Sequence, residues 1–205
     1  SMSPRTLLLT AFEPFGGESV NASWEAAREL EGWSSGEFAI AARRLPCVYD
    51  LCVAELARTF EALRPAGLMM TGQASRRTMV CVERIARNDA SARTPDNRGV
   101  IRGRAAPASG PAWLGTEARV AQIARAIRDV GVPARVSTNA GDYVCNHLYY
   151  GALAFLCDKS RGTPAVFIHL PATPAQFPRR GRKKGLPTAR AAHALEAAAR
   201  AIMSP

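Results

Sequence analysis

Hydrophobic and polar positions fall into two kinds of segment along this chain. Short apolar runs bounded by Gly, Pro and polar residues read as strands at residues 6–10, 67–72, 80–86 and Ala165–Leu170, with Phe38–Leu45 and the short Ala134–Ser137 beside them. Helical periods lie between the runs. Asn21 is placed to cap a helix reaching about Leu30. Residues 48–63 carry Leu51, Ala54, Leu56 and Phe60 at spacings that predict an inward face. Thr116 predicts the cap of a helix through Val130, and residues 145–159 and 187–203 predict two more, the last rich in alanine.

Strands separated by helices imply an α/β fold, a mostly parallel central sheet flanked by helices on both faces, with residues 3–205 as one catalytic domain. In such sheets the active residues gather outside the carboxyl ends of the strands. That rule brings His169, at the end of one strand, and Cys145, after another, to one crevice. Residues 88–115 break the alternation with Pro95, Pro107, Pro111 and several glycines. An irregular segment this long predicts a functional loop or an interface.

Composition narrows the class. The 205 residues are 47% hydrophobic and 21% charged, an ordinary globular balance. No apolar run approaches the ~18 residues of a membrane span. The leucines at 7–9 are too short a run for a secretory signal, and Ser1-Met2 reads as a cleavage scar ahead of the initiator. Five cysteines without a CxxC spacing argue against a disulfide framework or a zinc site. They fit free thiols in a reducing cytoplasm. The net charge of +10 raises a nucleic-acid-binding module as an alternative. Its sharpest run, Arg179-Arg180-Gly181-Arg182-Lys183-Lys184, reads as a solvated loop, and the remaining excess is spread along the chain. No nucleic-acid partner is expected.

The chemistry centres on Ala140-Gly141-Asp142-Tyr143-Val144-Cys145-Asn146-His147. A small-residue turn delivers Cys145 to a helix start, where the helix dipole favours the thiolate. Cys145 is a nucleophile on that reading, or else a buried apolar cysteine. A nucleophile needs a base, and of the three histidines His169, closing an apolar strand, suits best. His147 lies on a different helix face from Cys145, and His193 reads as a surface or packing residue. Glu83, a carboxylate inside an apolar strand, is placed to orient an imidazole. It equally suits a structural ion pair with Arg84 or Arg77, or an outward-facing edge position.

Several segments, in order over nearly the whole chain, resemble the pyroglutamyl peptidase I family of cysteine peptidases. They are Thr10-Ala11-Phe12-Glu13-Pro14-Phe15-Gly16-Gly17 with Asn21 and Trp24, Thr71-Gly72-Gln73-Ala74, Val82-Glu83-Arg84-Ile85-Ala86, Ala92-Arg93-Thr94-Pro95-Asp96-Asn97, the Cys145 motif and His169-Leu170-Pro171. The resemblance implies removal of an N-terminal pyroglutamyl residue from peptides through a Cys145–His169–Glu83 triad. It needs no metal or cofactor, and Arg93 helps shape the oxyanion site. Phe12, Phe15, Tyr143 and Val144 would wall an apolar slot, with Gln73 and Asn21 as polar contacts; core packing and a helix cap are the competing readings. The family is often oligomeric, which implies a dimer or tetramer. Four departures bear on specificity: Ser75-Arg76 where glycines are usual, Thr94 for isoleucine, Cys47 for threonine and Asp142 for a small residue. They leave open a cysteine hydrolase of the same fold with altered acyl specificity. Losing one methyl contact at Thr94 costs only ~1 kcal/mol, which weakens recognition without abolishing it.

Overall fold

The structure, a computed structural model, describes residues 3–103, 109–158, 162–177 and 185–205. The basic run 179–184 lies outside the described residues. The chain opens with β1 (Arg5–Phe12), β2 (Phe38–Leu45), β3 (Gly67–Gln73) and β4 (Val80–Glu83). A separate antiparallel ribbon follows, β5 (Ile85–Arg87) with β6 (Trp113–Gly115), and β7 (Ala134–Ser137) and β8 (Ala165–Leu170) complete the main sheet. Its order is β2-β1-β3-β8-β4-β7. β3 and the Leu7–Phe12 stretch of β1 are buried on both faces and mainly apolar, whereas β2, at an edge, alternates.

Five helices among the described residues cover the sheet: α1 (Ala22–Glu29), α2 (Leu51–Leu63), α3 (Val120–Asp129), α4 (Val144–Asp158) and α5 (Thr188–Met203). α1, α3 and α5 pack on one face around Leu7, Leu9, Met69, Val166 and Ile168. α2 and α4 pack on the other around Leu8, Leu68, Met70 and Phe167. None of the described helices is long and apolar enough to cross a membrane.

The predicted sandwich stands, with local corrections. β4 pairs antiparallel with β8 and parallel with β7, so β7 runs against β8. The carboxyl ends of β7 and β8 therefore point in opposite directions, and the rule for parallel sheets does not by itself bring Cys145 to His169. The expected strand at 80–86 breaks at Arg84. There the N–H donates to Ser137 in the main sheet, while the carbonyl accepts from Thr116 beside the ribbon. The helix expected from residue 48 starts at Leu51, because Asp50 adopts φ 60° in a tight turn. Its buried face is Cys52, Leu56 and Phe60, and Ala54 is exposed. Thr116 does not cap α3, which starts at Val120. Its hydroxyl accepts from the Ala118 N–H and donates to the Ala165 carbonyl.

Candidate active site

Register determines which side chains meet. On the α2/α4 face His169 sits beside Gly72 of β3 and opposite Cys81 of β4. Glu83, two residues beyond Cys81, projects from the same face. Its Oε1 lies 2.9 Å from His169 Nδ1, and the carboxylate is fully buried. The His169 ring packs on Phe167 with centroids 4.7 Å apart. Tyr149 of α4 donates its hydroxyl proton to the Glu83 carbonyl at 2.8 Å, which anchors the backbone beneath the carboxylate.

Cys145 reaches this pair through a reversal after β7. Residues 138–143 turn back, with Gly141 at φ 86°, and α4 begins at Val144. The half-buried Cys145 sulfur then lies directly over Gly72. A Cβ built on Gly72 would stand 2.5 Å from Sγ and 3.0 Å from the Phe167 ring. Only glycine leaves that space, and its neighbour across the strands is His169. Burial pushes the Cys145 thiol well up, and Cys47, Cys52 and Glu83 add to the shift against the thiol's own backbone N–H. The direction of this shift is opposite to the one the helix dipole was expected to give. Asp142 is exposed and hydrogen-bonds outward to Ser91 at 3.3 Å.

The two residues after Cys145 do different jobs. Asn146 is fully buried; its amide donates to the Arg87 and Asp89 carbonyls and accepts from the Arg87 N–H, pinning β5 to α4. His147 turns away from Cys145 and hydrogen-bonds Asp50 Oδ1 at 2.9 Å. Burial holds its imidazole below the usual value, against the pull of Asp50.

The slot residues separate into two groups. Phe12 and Val144 are buried in the core layer, and Phe15 packs on Tyr143 with centroids 5.6 Å apart. The Tyr143 hydroxyl donates to the Pro95 carbonyl at 2.9 Å and accepts from the Cys47 thiol at 3.7 Å. Burial lifts the Cys47 thiol to about 12, despite that bond, with Glu13 and Asp96 adding to the effect. Thr94 and Arg93 are exposed on a segment held by the Ala92 N–H on Asp142 and by Asn97 on Glu13 and Pro14. Asn21 caps α1 through Ser23, as the competing reading held, and donates to the Glu13 carbonyl. Gln73 is occupied too: Oε1 accepts from the Ala22 N–H and from Gln176, and Nε2 donates to Ser75.

A family model described as pyroglutamyl peptidase matches residues 5–204. The chain belongs to the pyroglutamyl peptidase family. The pyrrolidone-carboxylate peptidase of Chromobacterium violaceum is 45% identical over 180 residues, spanning 84% of this chain and 80% of that protein. That of Klebsiella pneumoniae is 40% identical over 200 residues, spanning 94% and 90%. Pyroglutamyl peptidase I from Bacillus amyloliquefaciens superposes with a TM-score of 0.93 at 34% identity, over 98% of this chain and 97% of that one. A mutant pyrrolidone carboxyl peptidase from Pyrococcus furiosus gives 0.92 at 28% identity, over 97% and 98%. Membership makes this chain a cysteine peptidase.

Two residues quoted in the motifs without a role, Asp96 and Asn146, organise the backbone around these side chains. Asp96 accepts backbone N–H bonds from Tyr49, Arg98 and Val100 and so organises the loop whose Pro95 carbonyl holds Tyr143. Its place after Pro95 is the usual signal of an Asx turn. Asn146 carried a signal too, a polar residue on the inward side of an apolar helix.

Proposed function

We propose that this chain hydrolyses the amide bond after an N-terminal pyroglutamyl residue, with Cys145 as nucleophile, His169 as base and then acid, and Glu83 orienting the imidazole. The carrying observation is the buried 2.9 Å contact between Glu83 Oε1 and His169 Nδ1, beside the glycine on which the Cys145 sulfur rests. His169 takes the thiol proton as Sγ attacks the acyl carbonyl. The oxyanion faces the Cys145 backbone N–H, which has no acceptor within the helix in its first turn. Collapse expels the amine, which takes the proton from His169. Water, activated by the same histidine, then cleaves the thioester, releasing pyroglutamate and restoring the thiol.

A small, flat, uncharged lactam suits the slot of Phe12, Phe15, Tyr143 and Val144. Arg93 and Thr94 border it, and Asn21 and Gln73 add polarity through the second hydrogen of each side-chain amide, the first being bonded to Glu13 and to Ser75. Five free cysteines support a reducing, cytoplasmic setting. Exposed Val100, Ile101 and Trp113 on the 88–115 segment support self-association as a dimer or tetramer.

Release of a fluorescent amine from its pyroglutamyl amide, under reducing conditions, tests the reading. Wild type should turn over and Cys145→Ala should fall to background. Background rates in both would overturn the pyroglutamyl assignment and favour the altered acyl specificity that Ser75, Arg76, Thr94, Cys47 and Asp142 would produce. Because Cys157 is exposed, thiol labelling is best read in a Cys157→Ser background.

A further inference from the structure

Glu83 meets both of its polar partners through one oxygen. Oε1 faces His169 Nδ1 at 2.9 Å and Arg77 Nη1 at 3.2 Å, while Oε2 is buried with no hydrogen-bond partner among the described residues. The ion pair and the triad contact, which the sequence posed as alternatives, coexist. Arg77 reaches further. Nη1 donates to Ser137 Oγ at 3.1 Å, and Nη2 donates to the Asn139 carbonyl. Ser137 closes β7, and Asn139 lies in the reversal that delivers Cys145. One mostly buried guanidinium therefore joins the acid of the triad to the turn carrying its nucleophile.

We infer that Arg77 is a positioning residue of this active site, acting through Glu83 to hold the carboxylate against His169. The inference rests on the proposed triad. A buried carboxylate without a cation tends to take up a proton, and a protonated Glu83 could not stabilise an imidazolium. The same cation also opposes charge on the imidazole and so bears on the pH range of the reaction. The other titratable groups facing this pair are Cys81 of β4 and Cys145 and Tyr149 of α4, with Cys47 and Cys52 acting on the Cys145 sulfur. Arg77 supplies the positive charge among them.

The test compares wild type, Arg77→Met and Arg77→Lys, reading kcat and KM for the pyroglutamyl amide across pH. Arg77→Met should lower kcat about 10- to 100-fold with KM within about 3-fold, because orientation and not binding is lost. Its pH profile should move to higher pH, since removing a cation raises the proton affinity of every neighbour. Arg77→Lys keeps the charge without the planar fork. It should return the profile to its wild-type position and recover part of kcat. A wild-type kcat in Arg77→Met, or a loss equal at all pH values with an unmoved profile, would overturn the inference.

If Arg77→Met does not fold, Ser137→Ala loosens the same guanidinium while leaving Glu83 paired. It should lower kcat at constant KM, and an unchanged kcat would overturn the inference. The pH dependence of Cys145 alkylation in the Cys157→Ser background needs no substrate and should shift upward in Arg77→Met; an unmoved alkylation profile would overturn the inference. Absent wild-type turnover, by contrast, would overturn the proposed substrate and leave that alkylation readout to decide the role of Arg77.

Discussion

At the scale of single residues, the site depends on an absent side chain as much as on those present. Gly72 is a buried β3 residue whose missing Cβ makes room for the Cys145 sulfur. Gly72→Ala would drive a methyl into Sγ on one side and the Phe167 ring on the other. The expected result is a drop in kcat/KM of about 100-fold or more, the usual consequence of an ångström-scale displacement of a reacting group. Steady-state kinetics with a parallel melting curve would check it; wild-type kinetics would mean the sulfur lies elsewhere in the working enzyme. A motif containing Thr71-Gly72-Gln73 marks this glycine in the sequence, but its reason emerges only when α4 lies over β3.

At the scale of elements, the 88–115 segment is built around a carboxylate. Burial of Asp96 disfavours its charge, and N–H bonds from Val100, Tyr49 and Arg98, aided by Arg102, outweigh that and hold it below the usual carboxylate value. A depressed value means the folded state favours the charged form. Its stabilisation is therefore fully present above the unfolded value of ~3.9 and is lost as pH falls through the folded one. Asp96→Asn keeps an acceptor oxygen for the Arg98 and Val100 N–H groups but turns the one facing the Tyr49 N–H into an amide donor, and should cost roughly 1–3 kcal/mol at pH 7. The gap between mutant and wild type should close below about pH 4 in urea unfolding. A gap that persisted undiminished in acid would show that charge is not what Asp96 contributes.

At the scale of the whole molecule, the segment's exposed apolar side chains are the feature that a lone copy leaves uncovered. Trp113 is 59% and Ile101 55% exposed. If the proposed self-association uses these side chains, Trp113→Asp with Ile101→Asp should shift the protein to a smaller species in sedimentation velocity, since a charge placed in an apolar contact is costly. Wild type that sediments as a monomer would remove the basis for that assembly.

The sandwich and most of its strands were legible in the sequence, because burial imposes a local period on apolar residues; the roles proposed for Cys145, His169 and Glu83 came from short motifs spread along the chain. What the chain pattern could not carry was direction and register. A four-residue strand such as β7 reads the same whichever way it runs, yet its reversal relative to β8 decides how Cys145 is delivered. Likewise, a glutamate in an apolar strand states only that it needs a partner. That it has two on one oxygen, His169 and Arg77, was decided by side chains converging from β8 and from the loop after β3. Local periodicity determined the elements; only long-range packing set the distances between side chains and the ties among them.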